Sequence, residues 1–400
     1  MSFAPNIGSA ELIRRLNENA VFKIIRSKSP ISRTDIVRIS SLTYPTVSKS
    51  VEFLLSRGLV QWSGEGKSRG GRRPRLLEFN PDAGVFIGIE LTGKEIRFGC
   101  FSLAYRLIKE YEHPLESTIP AVVIDTIVQG VRTILDQLEL KKDQCLGVGI
   151  GSPGSVNPSS GTVLSPFVLK WKNPIQLEAV SKELDIPIFV ENDINVQALG
   201  EVSTRSDVTG PVIYLSISTG VGAGIVIDGE IFHGAIGGAG ELGHFSIDVN
   251  GKQCECGNRG CLELYVSGPA IAGKLHHIKS ERENIFRILK DRVESESDKT
   301  AYDIYNELKE KVRVVITNLI NLLNPSLVII GGDIVRMGDT FMDDLRHSTR
   351  DSCGMVPFDP FASLCYGKLG REVGIYGAAV LADQMIFNPP RLPSSPANWS

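Results

Sequence analysis

The sequence predicts an α/β protein led by a small winged helix-turn-helix head and continued by a larger body of alternating strands and helices. Three observations carry this. Residues 10–55 hold three short stretches with apolar residues at helical spacing, separated by cap and turn residues. Residues 60–79 read as two strands around a tip rich in glycine and arginine. From Val85 onward, continuous apolar runs alternate with amphipathic segments, the pattern of a sheet covered by helices.

The head is legible element by element. Leu12, Ile13, Leu16, Ala20, Ile24 and Ile25 give a first helix over 10–27, which Pro30 stops. Ser32 with Asp35 three residues on is a capping box that opens a short helix over 32–40. After the turn Ser40-Ser41-Leu42, Thr43 caps a third helix with Val47, Val51, Leu54 and Leu55 on one face, ended by Gly58. Its start carries Tyr44, Pro45, Thr46, Ser48 and Lys49, small or polar groups suited to reaching base edges and phosphates in a major groove. A plain three-helix bundle would not need them together there. The strands L-V-Q-W and L-L-E-F flank a basic tip, and its G-R-R-P-R run (71–75) resembles arms that insert arginines, here Arg72 and Arg73, into a narrow A·T minor groove.

Charge agrees with a polyanionic partner for the head. Residues 1–80 hold 14 Lys and Arg against 6 Asp and Glu, a net of +8, and the remaining 320 hold 29 against 40, a net of −11. Hydrophobic content of 42% with 22% charged residues is that of a globular protein. No apolar run approaches the ~18 residues of a membrane span and no basic-then-apolar leader is visible, so a cytoplasmic protein with no membrane partner is expected.

In the body, V-F-I-G-I-E-L, I-R-F-G-C-F and Tyr105–Glu110 read as successive strands, and residues 120–139 as an amphipathic helix. Leu146–Gly151 is a buried strand ending in G-S-P-G, and Pro187–Val190 delivers E-N-D at its C-terminal end, where open α/β sheets place ligand groups. A helix starts over Asn195–Gly200. Val212–Ser218 and Gly224–Ile227 form a hairpin around S-T-G-V-G-A-G. Residues 301–323 are a long helix, L-V-I-I-G-G-D is a strand into a glycine turn, and Gly374–Met385 is an apolar closing helix.

Between these, E-L-G-H and then C-E-C-G-N-R-G-C-L-E place His244, Cys254, Cys256 and Cys261 within eighteen residues. Three thiolates and an imidazole are the ligand set of a closed tetrahedral zinc site, which holds structure and activates no water. A disulfide would leave one cysteine over; three clustered buried thiols are the plainer alternative. The carboxylates of Glu241 and Glu263 flank the motif.

The run G-G-A-G-E-L-G-H (237–244) followed by C-x-C-G-x-x-G-C-x-E (254–263) resembles the signature of the ROK family of repressors, open reading frames and sugar kinases. S-R-T-D-I before the turn and G-R-R-P after the wing resemble the head of its transcriptional repressors, the xylose and N-acetylglucosamine type, which its kinases generally lack. The resemblance implies an actin/hexokinase-like (RNase H-like) pair of lobes: a winged helix-turn-helix domain at 1–80, a first lobe at 81–200 plus 374–388, a second lobe with the zinc motif at 201–373, and a tail at 389–400. It implies a sugar held by Gly154, Asn192, Asp193, Glu241, His244 and Glu263, with Asp193 the catalytic base in kinases.

The nucleotide half departs from the family. Kinases carry an aspartate and then Gly-Gly-Thr after the first strand; here stand Glu90, Leu91, Thr92, Gly93 and Lys94. Thr92 cannot readily take the backbone conformation of a phosphate cradle, although Glu90 keeps a carboxylate for magnesium and Lys94 a charge for phosphate. The second loop, with Thr219, Gly220 and Gly222, and the turn Gly331-Gly332 look intact as nucleotide contacts. The expected function is therefore a sugar-responsive repressor, a homodimer or homotetramer on a pseudo-palindromic double-stranded DNA operator with a monosaccharide effector, and not an enzyme. The alternative is an ATP- and magnesium-dependent sugar kinase that also carries a DNA-binding head.

Overall fold

Helix α1 (Ala10–Lys28) turns Val21, Phe22 and Ile25 inward, where they meet Ile36 of α2 (Arg33–Ser40) and Val47, Val51 and Leu54 of α3 (Tyr44–Ser56). The computed structural model describes residues 10–66, 73–157, 160–165, 171, 173–205, 208–275, 284–295, 298–354 and 356–387. Both caps expected in the head are made. Ser32 Oγ accepts the Asp35 amide at 3.1 Å and donates to its carboxylate at 2.7 Å, and Thr43 Oγ1 accepts the Thr46 amide at 3.4 Å. The wing is a three-stranded antiparallel sheet in the order β1-β3-β2, from β1 (Ile31–Ser32), β2 (Val60–Glu65) and β3 (Arg75–Phe79). The pair of residues in β1 is too short to announce itself by periodicity. Arg72 and most of the wing tip lie outside the described residues.

The first lobe is a five-stranded sheet in the order β11-β7-β4-β5-β6. Strands β4 (Val85–Leu91), β5 (Glu95–Ser102) and β6 (Leu107–Pro114) form an antiparallel meander; β7 (Cys145–Ser152) and β11 (Ile188–Asn192) add parallel to β4, after α4 (Pro120–Gln137) and α5 (Glu178–Leu184). A small flap of β8 (Ser155–Asn157), β9 (Thr162–Ser165) and β10 (Ile175–Gln176) sits beside them. The third strand begins two residues later than the sequence suggested. Tyr105 is in the turn before it with φ 58°, a left-handed conformation incompatible with strand pairing.

Helix α6 (Asp193–Ser203) leads to the second lobe, whose sheet runs β14-β13-β12-β15-β16. Its strands are β12 (Val212–Ile217), β13 (Val221–Ile227), β14 (Glu230–Ile231), β15 (Leu327–Gly331) and β16 (Leu364–Tyr366). Helices α7 (Glu263–Val266), α8 (Gly268–Lys274), α9 (Ile285–Glu294), α10 (Lys299–Leu323), α11 (Gly338–Arg350) and α12 (Pro360–Ser363) cover it. The hairpin turn is only Ser218–Gly220. Gly222 and Gly224 belong to β13, because β12 pairs with it continuously up to Ile217 opposite Val221.

Helix α13 (Val373–Phe387) returns to close the first lobe. Ile375, Ala379, Ala382 and Phe387 join Phe22 and Ile25 of the head and Phe86 and Phe101 of the first sheet in one core, with the Phe22 and Phe387 rings 4.4 Å apart. Burying each such ring contributes roughly 1.5–3 kcal/mol, so the head is docked on the body through α1 and α13. No described helix is long and apolar enough to cross a membrane.

Candidate functional site

The two lobes enclose a cleft of about 900 Å³, and the sugar positions, the second nucleotide loop, the Gly331-Gly332 turn and Glu90 are on its wall, whereas Thr92 and Lys94 are not. Gly154, Asn192 and Asp193 come from the strand ends of the first lobe; Thr219, Gly220, Gly222, Glu241, His244, Glu263, Gly331 and Gly332 come from the second.

Asn192 caps α6. Its Oδ1 accepts the amides of Ile194 at 2.9 Å and Asn195 at 3.1 Å, while Nδ2 donates to Gly154 O at 3.1 Å and Asp193 Oδ1 at 3.0 Å. Both amide hydrogens are thereby used, so Asn192 orients its neighbours instead of offering a free donor to a hydroxyl. Asp193 is half-buried on the cleft wall, and desolvation, with Glu90 and Glu241 nearby, pushes its carboxyl up to about 7. Because the folded value is raised, ionised Asp193 costs folding free energy, a cost absent near pH 4 and complete above pH 7. Asp193→Asn should therefore raise the melting temperature of the sugar-free protein at pH 8 and leave it unchanged near pH 4. Thermal unfolding across that range checks this, and an equal difference at both ends would contradict a raised Asp193.

The phosphate side is closed by the protein's own groups. Thr92 Oγ1 accepts the amides of Lys94 at 3.2 Å and Glu95 at 3.0 Å and donates to Glu95 O at 2.8 Å, so the hydroxyl occupies the donors a phosphate would need. Glu90 is engaged by the protein's own groups. It is buried, directly opposite Arg97 in the β4–β5 register, with Oε2 2.9 Å from Arg97 Nη1 and Oε1 3.3 Å from Gln197 Nε2. Arg97 also donates to Glu110 at 2.6 Å and to Arg371 O at 2.5 Å. Burial pushes the Glu90 carboxyl up against the pull of Arg97. Two of the glycines are explained by packing: a Cβ on Gly222 would lie 2.5 Å from Ile194, and one on Gly331 2.0 Å from the Tyr214 hydroxyl.

On the second lobe, His244, Cys254, Cys256 and Cys261 place their donor atoms within 4.8 Å of one another. Cys256 Sγ and Cys261 Sγ are 3.6 Å apart, and Cys254 Sγ is 3.8 Å from His244 Nδ1. Metal–sulfur bonds of about 2.3 Å at tetrahedral angles give edges near ~3.8 Å, so this donor set fits a four-coordinate ion. Glu263 Oε2 accepts the Val221 amide at 3.0 Å, which ties the motif's end to the hairpin turn on the cleft wall. One further contact joins the lobes. His233 Nε2 meets Glu191 Oε2 at 2.6 Å, bridging the second lobe's loop to the buried carboxylate beneath Asn192. A histidine outside any motif carries no local signal of such a partner.

In the head, Tyr44, Pro45 and Lys49 are exposed on the first turns of α3, Thr46 and Ser48 half-buried beside them, and Val47, Ser50 and Val51 face the core. Arg73 is exposed at the base of the wing.

The model of the ROK family matches residues 86–385. The chain belongs to the ROK family. It is 33% identical over 396 residues to a protein named xylose repressor from Caldicellulosiruptor bescii, spanning 95% of this chain and 99% of that one. A crystal structure described as a ROK family transcriptional regulator, homolog of the E. coli MLC protein, aligns with TM-score 0.80 and 25% identity over 94% of this chain and 97% of its own. A ROK family glucokinase from Streptomyces griseus, in complex with glucose and AMPPNP, aligns with TM-score 0.62 and 28% identity over 75% of this chain and 100% of its own. The coverage is informative. The regulator matches nearly the whole ROK chain, whereas the glucokinase is complete within three quarters of it, and the family match begins only at residue 86.

Proposed function

We propose that this ROK protein is a sugar-responsive transcriptional repressor that binds a double-stranded operator through its winged helix-turn-helix head and a monosaccharide in its cleft. The observation that carries this is the pairing of an exposed recognition-type helix with a cleft whose polar wall is assembled while its phosphate loop is filled by Thr92 and its metal-binding carboxylate by Arg97. Phosphoryl transfer consists mostly of aligning and neutralising the phosphoryl group, and those are the functions lost. The name of the similar xylose repressor agrees with repression, and that of the similar regulator with transcriptional control.

In this reading Asp193, Glu241, Glu263 and the outer nitrogen of His244 contact sugar hydroxyls, with Gly154 held in place by Asn192. Asp193 then acts as a hydrogen-bond acceptor and not as a base. His244, Cys254, Cys256 and Cys261 would hold a zinc ion; with four protein ligands the ion supplies rigidity to Glu241, His244 and Glu263 and no Lewis-acid chemistry. The repressor acts in the cytoplasm as a homodimer or higher symmetric oligomer, because one helix-turn-helix reads too few bases to select an operator.

The test begins with an operator selected in vitro from random duplexes, then a panel of D-xylose, D-glucose, N-acetyl-D-glucosamine and their phosphates. One sugar should raise the melting temperature, since a ligand at ~100 times its Kd adds about 2.7 kcal/mol, and should change operator affinity. Glu241→Ala, an exposed position, should keep operator binding and lose the sugar response by 10-fold or more in affinity, as expected for charge-assisted bonds worth about 1.5–3 kcal/mol. A wild-type sugar response in that variant would remove Glu241 from the pocket.

A further inference from the structure

We propose that the ion pair between Arg26 of α1 and Asp383 of α13 is the joint through which cleft closure reaches the DNA-binding head, with Arg26 as its positioning residue. The proposal rests on the repressor reading above and adds the route by which sugar is sensed.

Arg26 Nη1 donates to both oxygens of Asp383 at 2.8 and 2.9 Å, and its Nη2 donates to Leu103 O at 2.5 Å. The Tyr105 hydroxyl donates to Asp383 Oδ2 at 2.6 Å. The guanidinium also lies 5.4 Å from the Phe79 ring at the end of the wing and 5.0 Å from the Tyr105 ring. Asp383 is buried, at 6% exposure. One side chain of the first helix therefore ties together the wing, the first lobe and α13.

The next residue reaches the other way. Gln384 Nε2 donates to Gly229 O at 3.1 Å, in the turn between β13 and β14 of the second lobe. Consecutive residues of α13 thus bind the head and the lobe that must move when the cleft closes. Helix α13 is coupled to the cleft itself through α6, which starts at the Asn192 cap. A Cβ on Gly377 would lie 1.8 Å from Val196 O, so the two helices touch backbone to backbone with no side chain between them to flex. Glu201 near the end of α6 accepts the amides of Lys368 at 2.9 Å and Leu369 at 2.8 Å, pinning the segment that enters α13. A displacement at Asn192 and Asp193 has a stiff path to Asp383.

The chemistry of the pair suits registration more than stability. With Nη1 shared by both Asp383 oxygens and Nη2 held by Leu103 O, the planar guanidinium is fixed in direction as well as distance. A buried ion pair is often replaceable by apolar residues without loss of folding, so what this pair supplies is a defined geometry.

The experiment is the double variant Arg26→Met/Asp383→Leu in the full-length protein, which removes both charges together. Zinc content, the melting-temperature rise with the active sugar of the panel, and operator affinity without sugar should stay near wild type. The sugar-induced change in operator affinity, typically 5–150-fold in coupled systems, should fall below about 2-fold. Tyr105→Phe, which deletes one bond to Asp383, should reduce the change partially. A wild-type sugar response in the double variant overturns the joint and leaves the repressor reading standing. Loss of sugar binding, or of operator binding without sugar, also overturns it, because the pair would then serve only the fold. A wild-type protein whose operator affinity no sugar changes would bring down the repressor reading itself, and the joint with it.

Discussion

Cys256→Ser should lower the melting temperature sharply and abolish the sugar response, because it removes one of the four donors that would hold the proposed zinc beside the cleft wall. The loop from Ser246 to Cys261 is held by two isolated bridges, Ser246 with Cys261 and Gln253 with Arg259, and by turn hydrogen bonds such as Ile247 N to Gly260 O at 2.9 Å, Gly260 N to Lys252 O at 2.8 Å and Ser246 Oγ to Arg259 O at 2.6 Å. Structural zinc in small sites supplies an apparent ~10–16 kcal/mol at neutral pH, far more than those bridges contribute. Cys256 is exposed, so its replacement by serine opens no cavity in a core, and a large loss of stability can be charged to the metal. Glu241, His244 and Glu263 all flank or belong to the motif; losing the ion should scatter them and leave the head intact. Metal analysis should find one zinc per chain in undenatured protein. Finding none, or finding the variant as stable and as sugar-responsive as wild type, would rule out this account.

Operator affinity should collapse with salt. A head of net +8 making about 6–10 phosphate contacts gives a log–log slope of roughly −5 to −9, which is a loss of about 10³–10⁵-fold between 50 and 200 mM. Lys49→Ala, on the exposed turn of α3, should flatten that slope by about 1 if the residue meets a phosphate. Arg73→Ala should weaken binding most on operators with A·T-rich flanks, where a narrow minor groove concentrates negative potential. The same holds for Arg72→Ala. Titrations over a salt series on A·T- and G·C-flanked duplexes check both points. A slope shallower than about −2 would exclude a multi-contact phosphate interface, and equal losses on the two flanks would exclude minor-groove insertion.

Features encoded over a few residues could be read without the fold. The three head helices follow from caps and periodicity, and Ser32 and Thr43 act within three positions of themselves. The donor set of the metal motif spans eighteen residues, so its chemistry is legible without a fold. The departure from the phosphate-loop pattern was visible at Thr92, although the hydroxyl's hold on the loop's own amides needed the backbone geometry.

The tertiary structure alone decided the pairings of charged groups. Glu90 and Arg97 become partners through the register of one hairpin, which converts an apparent magnesium ligand into half of a buried ion pair. Asn192, read from the sequence as a cleft residue, also caps a helix through four hydrogen bonds. His233 finds Glu191 only after the lobes face each other, and Arg26 finds Asp383 across 357 positions of chain. Periodicity reports which face of an element is buried, but not what it is buried against. A buried charge must be paired, and its partner is chosen by the packing of whole elements, which no local pattern records.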